Sequence, residues 1–165
     1  MSRTGILLVL AGTLLVTNPA APQAQRAKAP AKPKLEPVAE TQLLMDGLNQ
    51  ANFRGLEKLL KEKPADAESW TYARGQALLI AETGNLLMLR PPRNRGQDVW
   101  MERAADLRDS ATTLARAAGK RDFDRSRAAL GELAKSCNRC HQTFRVRTRV
   151  TPFAGDKEES TRSSN

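Results

Sequence analysis

Histidine occurs once in this chain and cysteine twice, and aromatic residues make up only 4% of it. β-Branched residues are scarce beyond the first sixteen positions. That shortage excludes a β-sandwich or barrel, whose pleated faces are built from aromatic and β-branched side chains. Two cysteines and one histidine cannot furnish the four ligands of a structural zinc site. A thioredoxin-type dithiol would need a βαβ context, and no strand-like alternation appears. No internal repeat of solenoid period is visible. At 165 residues the chain has room for one domain once its ends are discounted.

The ends carry little that could form a core. Arg3 followed by the eleven mostly apolar residues from Ile6 to Val16 reads as an export signal over residues 1–24, with cleavage expected between Ala20 and Ala24. Eleven helical residues reach about 16 Å, short of the ~30 Å hydrocarbon core, so a membrane span is the weaker reading. Retention as an N-terminal anchor stays open. Residues 25–36 form an Ala/Pro/Lys linker, expected to be an extended tether. Residues 151–165 read as a disordered polar tail.

What is abundant is alanine and leucine at helical spacing. The first amphipathic segment is expected from about Pro37 to Lys63, with Leu44, Leu48, Ala51, Gly55 and Leu59 on one face, Met45, Asn52, Leu56 and Leu60 broadening it, and Pro64 as its stop. The second runs from about Ala65 to Leu89 with Trp70, Ala73, Ala77, Ile80, Gly84 and Leu87 in line. The third runs from about Arg95 to Ala118 through Trp100, Ala104, Leu107, Ala111, Leu114 and Ala118, with Gly119 as its closing glycine. The fourth begins at the N-cap candidate Asp122 and carries Phe123, Leu130, Leu133, Cys137, Cys140 and Phe144. Long helices joined by short loops predict an all-α, up-down-up-down four-helix bundle over residues 37–150. Trp70 and Trp100 fall on core stripes and read as packing.

The two cysteines and the histidine lie within five positions, as Cys137-Asn138-Arg139-Cys140-His141. C-x-x-C-H is the attachment sequence of a c-type haem. Two thiols three apart on a helix share a face, where each can add to one vinyl group of the haem as a thioether. The following histidine reaches the iron from the same side. A disulfide between the two cysteines stays open on spacing alone, although an i, i+3 bridge within a helix is strained. Haem c is attached outside the cytoplasm, so the export signal agrees with the motif independently and predicts a periplasmic protein. Since His141 is the single histidine, bis-His ligation within one chain is excluded. The sixth position of the iron falls to a methionine, a weaker ligand, or none.

This motif on the last of four helices, followed by Phe144-Arg145, resembles class II c-type cytochromes, the cytochrome c′ group and its low-spin, Met-ligated relatives. The resemblance covers about residues 37–147 and rests mainly on the stretch from Ser136 to Arg145. It implies one covalent haem c with Cys137, Cys140 and His141 as its attachments, and Arg145 beside a haem propionate or over the proximal side. In the family the distal residue comes from the first helix, and Met45 stands near that position. Met88 and Met101 are expected at the same end of the bundle. In five-coordinate relatives an apolar residue fills the distal spot. Relatives also carry a basic residue early in helix one, where this chain has Gln42 and Met45. Some pair through their first two helices, so a homodimer is an open expectation.

The net charge is +9, and residues 120–149, with nine basic and three acidic side chains, account for +6 of it. Such a patch around the motif suits an acidic redox partner. Nucleic acid is excluded as a partner for want of aromatic platforms or a recognition motif. The leading expectation is a one-electron carrier, not an enzyme, using Fe(II)/Fe(III) cycling. The alternative is a five-coordinate haem protein that binds nitric oxide or carbon monoxide. A peroxidase would want a second histidine or an arginine–carboxylate pair on the distal side.

Overall fold

The computed structural model describes residues 34–93 and 96–153. The expected signal segment, most of the linker up to residue 33, and the tail from residue 154 lie outside the described residues.

Among the described residues four helices account for the regular structure. Helix α1 covers residues 41–59 in three consecutive stretches, Thr41–Leu44, Met45–Gln50 and Ala51–Leu59, the middle one a π-helix. Helices α2 (Ala67–Met88), α3 (Gln97–Gly119) and α4 (Phe123–Thr143) follow. Two starts are capped by aspartate. Asp66 accepts from the Ser69 N–H at 2.7 Å, and Asp122 accepts from the Arg125 N–H at 3.1 Å. Those hydrogen bonds from Ser69 hold the Asp66 carboxyl below its ordinary pKa. Among the described residues no helix is long and apolar enough to cross a membrane.

Contacts between helix ends establish the antiparallel order. Arg90, just past α2, donates to the Ala39 carbonyl ahead of α1 at 2.9 Å. The indole N–H of Trp100, in the first turn of α3, donates to Leu87 O near the end of α2 at 2.7 Å. Arg127, early in α4, donates to Leu60 O and Lys61 O at the end of α1, at 2.6 and 2.9 Å. The start of α3 meets the end of α4 where Trp100 packs edge-on against Phe144, ring centroids 5.1 Å apart. The starts of α1 and α3 and the ends of α2 and α4 therefore gather at one end of the bundle. Closest backbone pairing is between chain neighbours α1–α2, α2–α3 and α3–α4, and few backbone pairs of α1 and α4 approach closely.

The core is Leu/Ala, as the pattern predicts for α2, α3 and α4: Ala73, Ala77, Leu114, Ala118, Leu130 and Leu133 are fully buried. Helix α1 departs from expectation twice. It starts at Thr41, so Pro37 lies in the irregular lead-in and not in a first turn. The core face also changes: Leu44, Leu56 and Leu60 are buried as expected, but Phe53 is buried too, whereas Ala51 is exposed. The π-turn explains this, because its wider loop absorbs one extra residue and shifts the downstream face by one position. A regular 3.6-residue reading runs through that irregularity without seeing it.

Helix ends also differ from the sequence reading at one point. Gly119 is still helical, and the left-handed residue after α3 is Arg121, at φ 54°. Arg121 N–H donates to Ala118 O and Asp122 N–H to Ala117 O, which is the Schellman pattern. Helix α4 closes the same way: Arg145 has φ 57°, its N–H donates to Gln142 O, and Val146 N–H donates to His141 O at 2.8 Å. Both stops use arginine where glycine is the unstrained choice.

Gly84 sets the closest approach of α2 and α3. A Cβ there would stand 2.8 Å from the Ala104 carbonyl oxygen and 2.9 Å from the Arg108 backbone nitrogen, both fixed in α3. Gly84→Ala is expected to destabilise the fold by about 1–3 kcal/mol, the usual cost of overpacking. Arg121→Gly is expected to stabilise it by about 1 kcal/mol by relieving the left-handed strain. Denaturant melts of both variants read these opposite signs.

Candidate functional site

The last two turns of α4 carry the C-x-x-C-H motif to the end of the bundle where α1 and α3 begin. Cys137 is half-buried and packs on the core cluster, while Cys140 is half-buried on the side facing α3. Both thiols are free, with no bond between them. Burial pushes the Cys137 thiol up to about 12, with the neighbouring Cys140 adding to the rise. Burial raises Cys140 too, against an opposing pull from Arg103. Arg103 lies in an ion-pair chain, 2.7 Å from Asp106, which in turn stands 3.9 Å from Arg139.

His141 Nδ1 lies 2.8 Å from the carbonyl oxygen of Thr148. A carbonyl can only accept, so Nδ1 carries the proton and donates. That assigns the Nε2 lone pair as the one left for a ligand bond. The carbonyl comes from the segment after α4, which folds back along that helix. Asn138, one of the two residues inside the motif, fixes it with two bonds: Val150 N–H donates to Asn138 Oδ1 at 2.9 Å, and Asn138 Nδ2 donates to Val150 O at 2.7 Å. Further along, Phe153 N–H donates to Glu57 Oε1 at 2.5 Å, and the Arg127 guanidinium sits 3.9 Å above the Phe153 ring. Val150 and Phe153 are half-buried against the core. The expected tail boundary at Thr151 therefore moves outward, since apolar packing continues to Phe153.

Met45 is the first residue of the π-turn and half-buried against the core, with its sulfur accepting from Asn49 Nδ2 at 3.4 Å. Equal rises counted along antiparallel α1 and α4 from the Arg127–Leu60 contact bring Met45 about level with His141. Met88 is half-buried against the core, whereas Met101 is exposed. Arg145 is exposed, and its backbone ends α4. Trp70 and Trp100 both pack on the core and donate their indole N–H to backbone carbonyls. Sequence reading missed Asn138 and Thr148. Nothing marks a backbone carbonyl in advance, and Asn138 occupies a position where the motif accepts any residue.

This end of the bundle fits a flat apolar group with polar edges. Three buried polar atoms on three helices lack hydrogen-bond partners there: Asn49 Oδ1 in α1, Arg103 Nε in α3 and Ser136 Oγ in α4. Unsatisfied groups cost about 1–3 kcal/mol each and call for a partner. Exposed apolar side chains at the same helix ends (Leu43, Leu89, Val99, Met101) supply surface such a group would cover. Few backbone pairs of α1 and α4 approach closely. Among the described residues no cluster of three or more His, Cys, Asp or Glu could hold a bare metal ion.

In comparison with known proteins, residues 95–145 match the family model described as Cytochrome C′, a class II c-type cytochrome family. The match takes in α3 and α4 and ends just past the motif. Neither a curated protein nor a solved structure matches the chain.

The Cys137 environment gives a direct test on the haem-free chain. At pH 8 a thiol near 12 holds about a thousandth of the thiolate of an ordinary cysteine. Alkylation of Cys137 should be slower by about that factor in the folded chain than in denaturant, as read by mass spectrometry. The folded, haem-free chain should also lose stability as pH rises above the ordinary thiol range towards 12, because only the unfolded chain then gives up the proton.

Proposed function

We propose, taking the class II cytochrome match over residues 95–145 as premise, that this chain is an exported one-electron carrier with one covalent haem c. The observation that carries the reading is His141, whose Nδ1 is committed to the Thr148 carbonyl beside two free thiols on the same helix face. Bound haem supplies an iron that passes between Fe(III) and Fe(II). Cys137 and Cys140 would hold the group by thioethers, His141 would offer Nε2 to the metal, and Met45 would offer its sulfur from the facing helix. Arg145 lies exposed just past the motif, where its charge would balance a propionate. No side chain is assigned a catalytic step. The half-buried position of Met45, level with His141, supports closure of the sixth position.

One observation favours a second reading. The Met45 sulfur already accepts from Asn49 within its own helix, which suits an apolar distal cover over a five-coordinate iron that binds nitric oxide or carbon monoxide.

Haem should stay on the denatured chain and migrate with it, and Cys137→Ala with Cys140→Ala should abolish that. Haem extracted by acidified solvent would overturn the assignment. Met45→Leu conserves volume and should leave the fold intact while converting a low-spin iron to a high-spin, gas-reactive one, read from the absorption spectrum. Met88→Leu and Met101→Leu should leave the spectrum unchanged. A wild-type protein that is high-spin and binds carbon monoxide selects the second reading.

The basic patch is proposed to steer an acidic redox partner. Arg147 and Arg149 are exposed, whereas Arg139 lies in the chain to Asp106, so reversal belongs at the first two. Arg147→Glu with Arg149→Glu should slow association by about tenfold or more at low salt, measured by stopped flow. Raising the salt should erase the difference, because charges beyond ~8 Å are screened at physiological ionic strength.

A further inference from the structure

Residues 146–153 lie beyond the segment that matches the cytochrome c′ family, yet they make the most specific polar contacts around the motif. We propose that these residues form a proximal strap and that Asn138 is the positioning residue that holds it. The inference rests on the haem reading above and extends it to how the axial histidine is set.

The strap is fastened at three heights along α4. At its near end Val146 N–H donates to His141 O, which closes the helix. In the middle the Asn138 side chain pairs with both backbone groups of Val150, leaving neither of that residue's polar groups unsatisfied. At its far end Phe153 is held by Glu57 of α1 and by the Arg127 guanidinium on its ring. Between the first two fastenings lies Thr148, whose carbonyl receives the His141 Nδ1 proton at 2.8 Å. The segment 145–149 is otherwise exposed and irregular, so nothing within it fixes where that carbonyl points. Fixing Val150 two residues on does so.

A hydrogen bond from Nδ1 raises the donor strength of the opposite ring nitrogen and locks the ring's tautomer. A stronger donor favours the more positive oxidation state. The strap should hold the one-electron equilibrium, Fe(III) plus an electron giving Fe(II), towards Fe(III). The lever is local: Asn138 lies in the motif but bonds neither thiol, and it acts on His141 through the backbone of a separate segment.

The test uses the matured holoprotein, wild type against Asn138→Ala and Phe153→Ala. The second change loosens the strap far from the motif, where it cannot disturb haem attachment. Two quantities are read: exchange of the Val150 amide hydrogen, and the Fe(III)/Fe(II) ratio at fixed ambient potential in a spectroelectrochemical cell. Asn138→Ala should speed Val150 exchange by about three- to tenfold. It should also move the ratio about three- to tenfold towards Fe(II), tenfold being 59 mV for one electron. Phe153→Ala should shift both in the same direction by less. Unchanged Val150 exchange in Asn138→Ala overturns the anchor. Faster exchange with an unchanged ratio in both variants overturns the positioning role while the haem reading stands. Wild-type protein that carries no covalent haem overturns that reading itself, and the proposal with it.

Discussion

Arg127 joins three segments that are far apart in sequence. Its guanidinium takes the carbonyls of Leu60 and Lys61 where α1 ends, and stacks on Phe123 and Phe153. The α1–α4 seam has little close backbone packing, so this cation supplies what helix–helix contact supplies elsewhere in the bundle. It fixes the register of α4 against α1 and thereby the level of Met45 relative to His141. It also anchors the far end of the segment that returns from the motif. A guanidinium suits the task because one terminal nitrogen, Nη1, serves both carbonyls while the planar faces remain free for rings.

The bundle's tighter half lies in α2, α3 and α4. Gly84 brings two backbones within contact, and the alanines beside it leave no room for sliding. Helix α1 is the contrasting element, with a π-turn, no side-chain cap at its start and an orphaned Asn49 amide oxygen. The division is physically consistent. Rigid neighbours hold the histidine-bearing helix, and the irregular helix faces it across the α1–α4 seam.

Much of this was legible in the sequence for definite reasons. Period-3.6 stripes in α2, α3 and α4 are uninterrupted, so Ala73, Ala77, Ala111, Leu114 and Leu130 could be assigned to the core from spacing alone. The motif is legible because chemistry dictates its spacing. Phe53 was missed because the π-turn moves the stripe by one residue, and single-residue changes of phase leave no compositional trace. Arg121 and Arg145 as helix stops were missed because the rule expects glycine at a left-handed position, and here the capping bonds of the helix ends hold arginine there. The strap's last three residues, 151–153, were read as polar tail, and its contacts with the motif were missed, because its holding groups are backbone carbonyls and one asparagine, and hydropathy registers none of these.

The motif occupies the final turns of α4, where the peptide dipoles sum to a partial negative charge. Any cationic centre held by His141 sits in that attractive field, while Arg145, Arg147 and Arg149 stand just beyond and repel it. Both influences act at an exposed helix end, because Gln142 and Thr143 are exposed along with the arginines. Counterions therefore reach the pole and the cations together, and the field at this end of the bundle flattens as ionic strength rises.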